Sequence, residues 1–276
     1  MKQKVTQKLN VLITGASSGI GNMTAVYFAK KGHTVFGTSR NPEKIDKKAD
    51  ELFSYIRMDV TDDASVNETI QTLLQKIEKI DIVICNAGMG ISGPIETTPI
   101  EYIEKQINTN FWGTLRVLRS VLPGMREKGG KIFIIGSMAG RAGIPFQGYY
   151  AASKFALEGL VESLRYELMG FPVQVAIIEP GDFRTGFTGS RLKFEDERDP
   201  YFKKCKQAVA IMENDEQHGA NPIVLAQLLY KLALSNRKLK VRYSVGMLFQ
   251  RFAMFLKRIL PCNLYEYLFS KYYKVS

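Results

Sequence analysis

Cysteine is scarce. Cys85, Cys205 and Cys262 are the only three in 276 residues, widely spaced and with no C-x-x-C pair. That pattern argues against a disulfide framework or a zinc site, and a reducing, cytoplasmic setting is expected. An apolar leader is also missing, because MKQKVTQKLN runs straight into VLITGASSG, so no secretory signal is expected. No apolar run reaches the ~18 residues of a membrane span without a charge. The most apolar late stretch, residues 245–260, is broken by Arg251, Lys257 and Arg258. Repeats, low-complexity tracts and Pro/Gly/Ser linkers are absent too, which leaves one domain. A chain this long can bury roughly three quarters of its surface without a staple. Its 45% hydrophobic and 24% charged residues are those of an ordinary globular protein, which excludes a disordered chain.

Short β-branched runs alternate with amphipathic helical stretches along most of the chain. Strands are expected at residues 10–14, 34–39, 54–59, 81–85, 131–136 and 173–178, with a weaker seventh at 240–243. Several are near-continuous apolar runs (VLIT, IVIC, IFII, VAII), as strands covered on both faces are. Helices are expected at residues 19–31, 64–78, 100–122, 149–168 and 222–234. This alternation implies an α/β fold, a doubly wound parallel sheet of about seven strands with helices on both faces. Residues 182–220 break the rhythm with a long charged stretch after a strand ending in Pro180-Gly181. Open α/β sheets bind ligands at the carboxyl ends of their strands, so this stretch is expected to be a substrate lid.

Thr14-Gly15-Ala16-Ser17-Ser18-Gly19-Ile20-Gly21 follows the first strand and opens a helix. Glycines there let backbone amides approach a pyrophosphate, which the helix N-terminus attracts. A glycine-rich turn alone is weak evidence; a strand before and a helix after supply the context for nucleotide binding. The usual dinucleotide pattern then places an acid at the end of the second strand, to bind the ribose 2′-OH. Here that position has Thr38-Ser39-Arg40. No carboxylate is present to repel a 2′-phosphate, and the planar Arg40 fork can pair with one, or it is a solvated loop residue. NADP(H) is therefore expected over NAD(H).

From about residue 9 to residue 185 these motifs resemble the classical short-chain dehydrogenase/reductase family. The resemblance implies that Asp59-Val60 contacts adenine and that Cys85-Asn86-Ala87-Gly88 stands for the family's N-N-A-G turn, with Cys in place of the first Asn. It matches Asn110 to the family's helix asparagine, Ser137 to the serine after the fifth strand, and Tyr150-Ala151-Ala152-Ser153-Lys154 to a Y-x-x-x-K motif. Pro180-Gly181 closes the series. Phe183 and Thr185 follow at the nicotinamide end of the implied cofactor site, which also takes Tyr150 and Lys154.

The chemistry can be read beside the resemblance. Tyr and Lys at i and i+4 share one helix face, whereas Tyr149 lies ~100° off it. A tyrosine of reference pKa ~10 is a poor acid–base catalyst at neutral pH unless a nearby cation favours the phenolate, and Lys154 would supply that charge. Tyr150 would exchange a proton with a carbonyl or alcohol oxygen, and Ser137 would hydrogen-bond the same oxygen. By family position, Asn110 would hold a water linking Lys154 to solvent. The rival is an NADPH-binding regulator or scaffold without turnover, which should have lost part of the Asn–Ser–Tyr–Lys set.

The substrate half is less specific. Met89, Ile91, Met138, Phe146, Phe183 and Phe187 are candidates to face the carbonyl, and an apolar pocket suits a bulky hydrophobic ligand. The stretch from Ser137 to Leu168 and the later VRYSVG resemble the 17β-hydroxysteroid and retinol dehydrogenase branch, which implies a steroid-, retinoid- or lipid-like substrate. The family also implies a homo-dimer or homo-tetramer. Leu157, Leu160, Val161, Leu164 and Leu168 either form its seam or pack on the sheet.

A net charge of +11 first suggests nucleic acid, but no zinc motif, RNP signature or basic recognition helix accompanies it. Residues 231–276 hold ten Lys or Arg and one acid, Glu266, so nine of the eleven positive charges sit there. A catalytic part at residues 1–236 is thus nearly neutral and is followed by a basic extension at 237–276. Within it, Leu248, Phe249, Phe252, Phe255, Leu256 and Ile259 share a helical face. Such a helix suits peripheral contact with an anionic membrane through residues 245–273, or packing over the pocket or a second subunit.

Overall fold

The computed structural model of the protein describes residues 8–45 and 52–276; residues 1–7, which belong to the segment read for a leader, lie outside them. Seven parallel strands form the central sheet: β1 (Asn10–Ile13), β2 (Thr34–Ser39), β3 (Ser54–Arg57), β4 (Ile82–Cys85), β6 (Gly130–Ile135), β7 (Val173–Pro180) and β9 (Arg242–Val245). Their spatial order is β3-β2-β1-β4-β6-β7-β9. The minor strands β5 (Ile91–Ser92) and β8 (Leu192–Lys193) pair with each other outside it. This is the doubly wound α/β sheet expected from the sequence.

Side chains alternate across the sheet, as strand pleating requires. Val11 and Ile13 join Phe133, Ala176 and Ile178 on one face, under helices α1 (Gly19–Lys30) and α8 (Ile223–Ala233). Leu12, Ile132, Ile134, Val175 and Ile177 meet α2 (Asp63–Lys76), α4 (Gly113–Lys128) and α5 (Gly148–Glu167) on the other. Both helix layers end in specific caps. Asp62 accepts from the amides of Ala64 and Ser65 at the start of α2. Lys131 Nζ donates to the carbonyls of Leu232, Ala233 and Ser235 at the end of α8, where the dipole favours a cation.

The single helix expected over residues 100–122 is instead α3 (Ile100–Ile107), a π-helical turn at Asn108–Trp112, and α4. Residues 182–220 carry a short helix α6 (Phe187–Ser190) and a longer α7 (Phe202–Gln217). After β9, the extension folds into two helices, α9 (Leu248–Ile259) and α10 (Cys262–Tyr272). Among the described residues, no helix is long and apolar enough to cross a membrane. Leu157, Val161 and Leu164 on α5, and Leu168 at its end, are buried in this chain's own core, with Leu160 packed against it.

Candidate active site

The carboxyl ends of the strands open into a cavity of about 1340 Å³ that runs from the glycine turn to the tail helices. At its start, Ser18 is extended and leaves the first turn of α1 without a side-chain cap, and no acid sits in that turn. The N-terminal amides and the positive end of the dipole therefore face the cavity, as a pyrophosphate needs. Gly15 holds φ +65°, and a Cβ on Gly21 would lie 2.5 Å from Asn86 Nδ2 and closer still to the Gly15 carbonyl. Gly21 does not line the cavity; it lets the turn close. Gly15, Ser17, Ser18, Gly19 and Ile20 do line it. These residues fit a dinucleotide.

Thr14, which the sequence shows only as the first residue of the motif, holds this turn in place. Thr14 is buried, and its Oγ1 accepts from the amides of Asn86 and Ala87, both at 2.9 Å. Asn86 Nδ2 answers by donating to the carbonyls of Thr14 and Gly15, each at 3.0 Å. Asn86 thus braces the turn as well as lining the cavity with Ala87 and Gly88. The only signal in the sequence is a small hydroxyl residue at the end of an apolar strand.

At the far end, Asp59 and Val60 line the cavity, and Asp59 Oδ1 accepts from the amide and hydroxyl of Thr61 at 2.9 and 2.8 Å. Arg40 is exposed on the same wall. Arg57, not anticipated, stands in register with Ser39 on the neighbouring strand. Both guanidinium groups border a polar side pocket with Asn41, Asp59, Asp62 and Ser65.

Three candidate reactive residues assemble from two elements. Ser137 follows β6, Tyr150 and Lys154 lie on α5, and all three line the cavity. Ser137 Oγ accepts from the Ala139 amide at 3.1 Å, and the Ser137 side chain acts on the Tyr150 hydroxyl. Lys154 Nζ lies 5.7 Å from the centre of the Tyr150 ring and donates to the Ile135 carbonyl at 2.9 Å. Tyr149 points elsewhere, donating to the Ile95 carbonyl at 2.6 Å. Burial pushes the Tyr150 hydroxyl up to about 12, partly offset by Ser137, with the Glu216 and Asp182 carboxylates adding to the rise and Arg191 opposing it. Burial likewise lowers Lys154 to about 8. The expected pull of Lys154 toward a phenolate is not what the chain alone sets up. Desolvation dominates at the Tyr150 hydroxyl.

Asn110 does not reach the cavity wall. It is buried in the π-helical turn, where Oδ1 accepts from the Met89 amide at 2.8 Å. Its Nδ2 donates to the Met89 carbonyl at 3.0 Å and to Ser153 Oγ at 3.1 Å. Ser153 in turn donates to the Tyr150 carbonyl at 2.7 Å. Asn110 therefore couples the 88–89 turn to the catalytic helix.

Toward the substrate side, Pro180, Gly181, Phe183 and Thr185 line the wall with Met89, Met138 and Phe187. Ile91 is instead buried in β5, and Phe146 packs with Met212 and Tyr273. The wall is not wholly apolar: Asp182, Arg191, Asp215 and Glu216 face it as well. The tail closes the far end. Gln250 is hydrogen-bonded to Asp182, Lys257 donates to the Arg141 carbonyl, and Tyr272 donates to Asp215 at 2.7 Å. The apolar face expected on α9 is two faces. Phe249, Ala253, Leu256 and Leu260 look into the cavity, while Leu248, Phe252, Phe255 and Ile259 are each at least half exposed.

Comparison with known proteins agrees with this geometry. Residues 9–196 match the short chain dehydrogenase family. A 3-ketodihydrosphingosine reductase of Bacteroides thetaiotaomicron is 37% identical over 96% of this chain and 98% of its own. Human retinol dehydrogenase 8 is 38% identical over 66% of this chain and 61% of its own. A short-chain dehydrogenase from Streptomyces avermitilis superposes with a TM-score of 0.81 at 27% identity, over 97% of this chain and 98% of its own.

Replacing Thr14 by Val should leave two buried amides without an acceptor. The expected cost is about 2–4 kcal/mol of stability and at least a tenfold loss of NADPH affinity. Urea unfolding and fluorescence titration measure the two, and wild-type values for both would remove Thr14 from this role.

Proposed function

The chain belongs to the short chain dehydrogenase family, and from that premise we propose that it uses NADP(H) to interconvert a carbonyl and an alcohol on a long-chain, hydrophobic substrate. It is an oxidoreductase of C=O and CH–OH groups. The observation that carries the finer reading is the convergence of Ser137, Tyr150 and Lys154 on one cavity that also holds the glycine turn. A cofactor-binding scaffold has no need of that convergence.

The cofactor, when bound, supplies or accepts the hydride. Tyr150 gives its proton to the carbonyl oxygen as negative charge develops there, and its raised pKa keeps that proton in place until it is needed. Ser137 donates to the same oxygen, fixing its position and stabilising the developing charge. Lys154 holds a cation beside the Tyr150 ring and lies on the route that restores the proton. Asn110 fixes the helix from behind. With NADP(H) as cofactor, reduction is the favoured direction in a cell, because that pool is usually kept reduced.

Arg40 and Arg57 support NADP(H) over NAD(H). No carboxylate ends β2, and two planar guanidinium groups flank the place where a 2′-phosphate would sit. The apolar inner faces of α9 and α10 favour a lipid-like substrate. Among the relatives matched along nearly their whole length is one named a 3-ketodihydrosphingosine reductase, which favours a ketolipid over a steroid or retinoid. The exposed outer face of α9, with Arg251 and Arg258 beside it, suits the anionic surface in which such a substrate dissolves.

Three measurements test these statements. Tyr150→Phe should lower turnover at least a hundredfold with NADPH affinity retained, and surviving turnover would end the mechanism. Arg40→Ala should weaken NADPH about tenfold and leave NADH binding as it was; equal effects on both would remove the 2′-phosphate assignment. Full-length protein should co-sediment with vesicles rich in anionic lipid, and Phe252→Ser should reduce that binding. Indifference to both lipid charge and substitution would exclude membrane contact.

A further inference from the structure

We propose that Glu179 is a positioning residue for the reaction, the hub of a buried clasp that holds the Ser137 turn and the Tyr150–Lys154 helix at a fixed separation. This role is additional to those given to Ser137, Tyr150 and Lys154 above, and it rests on that mechanism. The clasp also gives a part to the late segment VRYSVG, residues 241–246, none of which lines the cavity.

Glu179 is fully buried near the end of β7, just before the Pro180-Gly181 that lines the cavity. Strand β9 pairs with this end of β7, setting Ser244 opposite Glu179 and Arg242 opposite Ile177. Pleating sends Arg242 and Ser244 to one face of the sheet, the face that Ile177 shares with α5. Ser244 Oγ donates to Glu179 Oε2 at 2.5 Å, and Arg141 Nη1 reaches the same oxygen at 3.4 Å. The other oxygen, Oε1, lies 3.5 Å from Arg242 Nε. That Nε donates to Glu158 Oε2 at 2.6 Å, and Arg242 Nη2 pairs with Glu162.

Each partner leads to a side chain of the reaction. Glu158 stands one helical turn beyond Lys154 and two beyond Tyr150 on α5. Arg141 ends the short turn Met138–Gly140 that Ser137 opens. The turn and the helix are pressed together here: a Cβ on Gly140 would lie 3.0 Å from the Lys154 carbonyl and 3.4 Å from Glu158 Cγ. The Ser137 turn, the Tyr150–Lys154 helix and the strand leading into Pro180-Gly181 thus meet at one carboxylate. The tail enters through the same point, because Arg242 belongs to β9 and Lys257 of α9 donates to the Arg141 carbonyl.

Cohesion alone does not account for this arrangement. A buried carboxylate gives up its hydration, and apolar side chains of similar volume hold such a junction at least as well in many proteins. What the charged groups add is direction. The guanidinium is a rigid plane, so its Nε and Nη2 together fix where Glu158 and Glu162, one turn apart, can stand. Apolar packing would resist a roll or slide of α5 less sharply. Transfer of a proton from Tyr150 to an oxygen held by Ser137 is sensitive to such a movement, since a misplacement of about 1 Å can cost about a hundredfold in rate.

The test uses the full chain with NADPH and a long-chain methyl ketone, with rates normalised to folded protein. Glu179→Gln keeps the shape of the side chain but turns an amide NH2 toward a guanidinium or the Ser244 hydroxyl. Its kcat should fall about tenfold or more, while KM for NADPH and for the ketone stays within about twofold. The primary isotope effect on kcat with deuterated NADPH should rise, because the misaligned transfer becomes limiting. Arg242→Ala, at a partly exposed position, should show the same split. Millimolar guanidinium ion should restore part of its kcat, and Arg242→Lys, which keeps the charge without the fork, should fall between it and wild type. If Glu179→Gln does not fold, Arg242→Ala and its rescue decide. Wild-type kcat in the folded variants overturns the proposal. So does a loss that follows melting temperature alone, with the isotope effect unchanged and no response to guanidinium. A wild type that reduces no ketone at all is a failure of the Ser137–Tyr150 mechanism itself, and the clasp falls with it.

Discussion

Strands β1 and β4 lie side by side and parallel, yet the chain leaves them toward opposite faces of the sheet. After β1 it enters α1 and the layer shared with α8; after β4 it enters the layer of α4 and α5. Two connections that diverge from adjacent strand ends must leave a crevice between them, and every functional element of this protein is placed by it. The glycine turn occupies one lip and the 86–89 turn the other. Thr14 and Asn86 lace the two lips together with four hydrogen bonds, so the crevice stays open at a fixed width.

From that crevice the reactive centre follows. The 86–89 turn presents Met89 to Asn110, which requires the helix after β5 to loosen into a π-helical turn to present its amide. Asn110 reaches Ser153 and thereby the helix that carries Tyr150 and Lys154. Burial then acts in opposite directions on the two, holding the phenol neutral and making the ammonium easier to deprotonate. The phenol and the ammonium stand one helical turn apart, with no metal-ligating cluster among the described residues.

The sheet, the glycine turn and the placing of Tyr150 and Lys154 on one helix face were legible in the sequence because each is local. Apolar runs mark strands covered on both faces, and the spacing from Tyr150 to Lys154 places both on one helix face. Arg57 was missed because it becomes relevant only through its register with Ser39, a non-local fact. Asp182, Arg191 and Glu216 were passed over as part of a solvated, charged lid; only the folding of that segment against the tail buries them. The tail itself was half readable. Helical periodicity found an apolar face on α9, but a single period could not separate the side that lines the cavity from the side left exposed, because adjacent positions are apolar on both. Asn110 was singled out by resemblance, and its buried location behind the wall lies in a π-helical turn that no local pattern announced.

The central claim is that this crevice carries out hydride chemistry on a bound carbonyl. It is tested most directly with NADPH deuterated at the transferable position of the nicotinamide and a long-chain ketone as acceptor. The account requires deuterium on the former carbonyl carbon of the product alcohol, with the hydroxyl proton derived from water. Tight NADPH binding with no label transferred to any hydrophobic carbonyl would contradict it, and would make the protein a cofactor-binding scaffold.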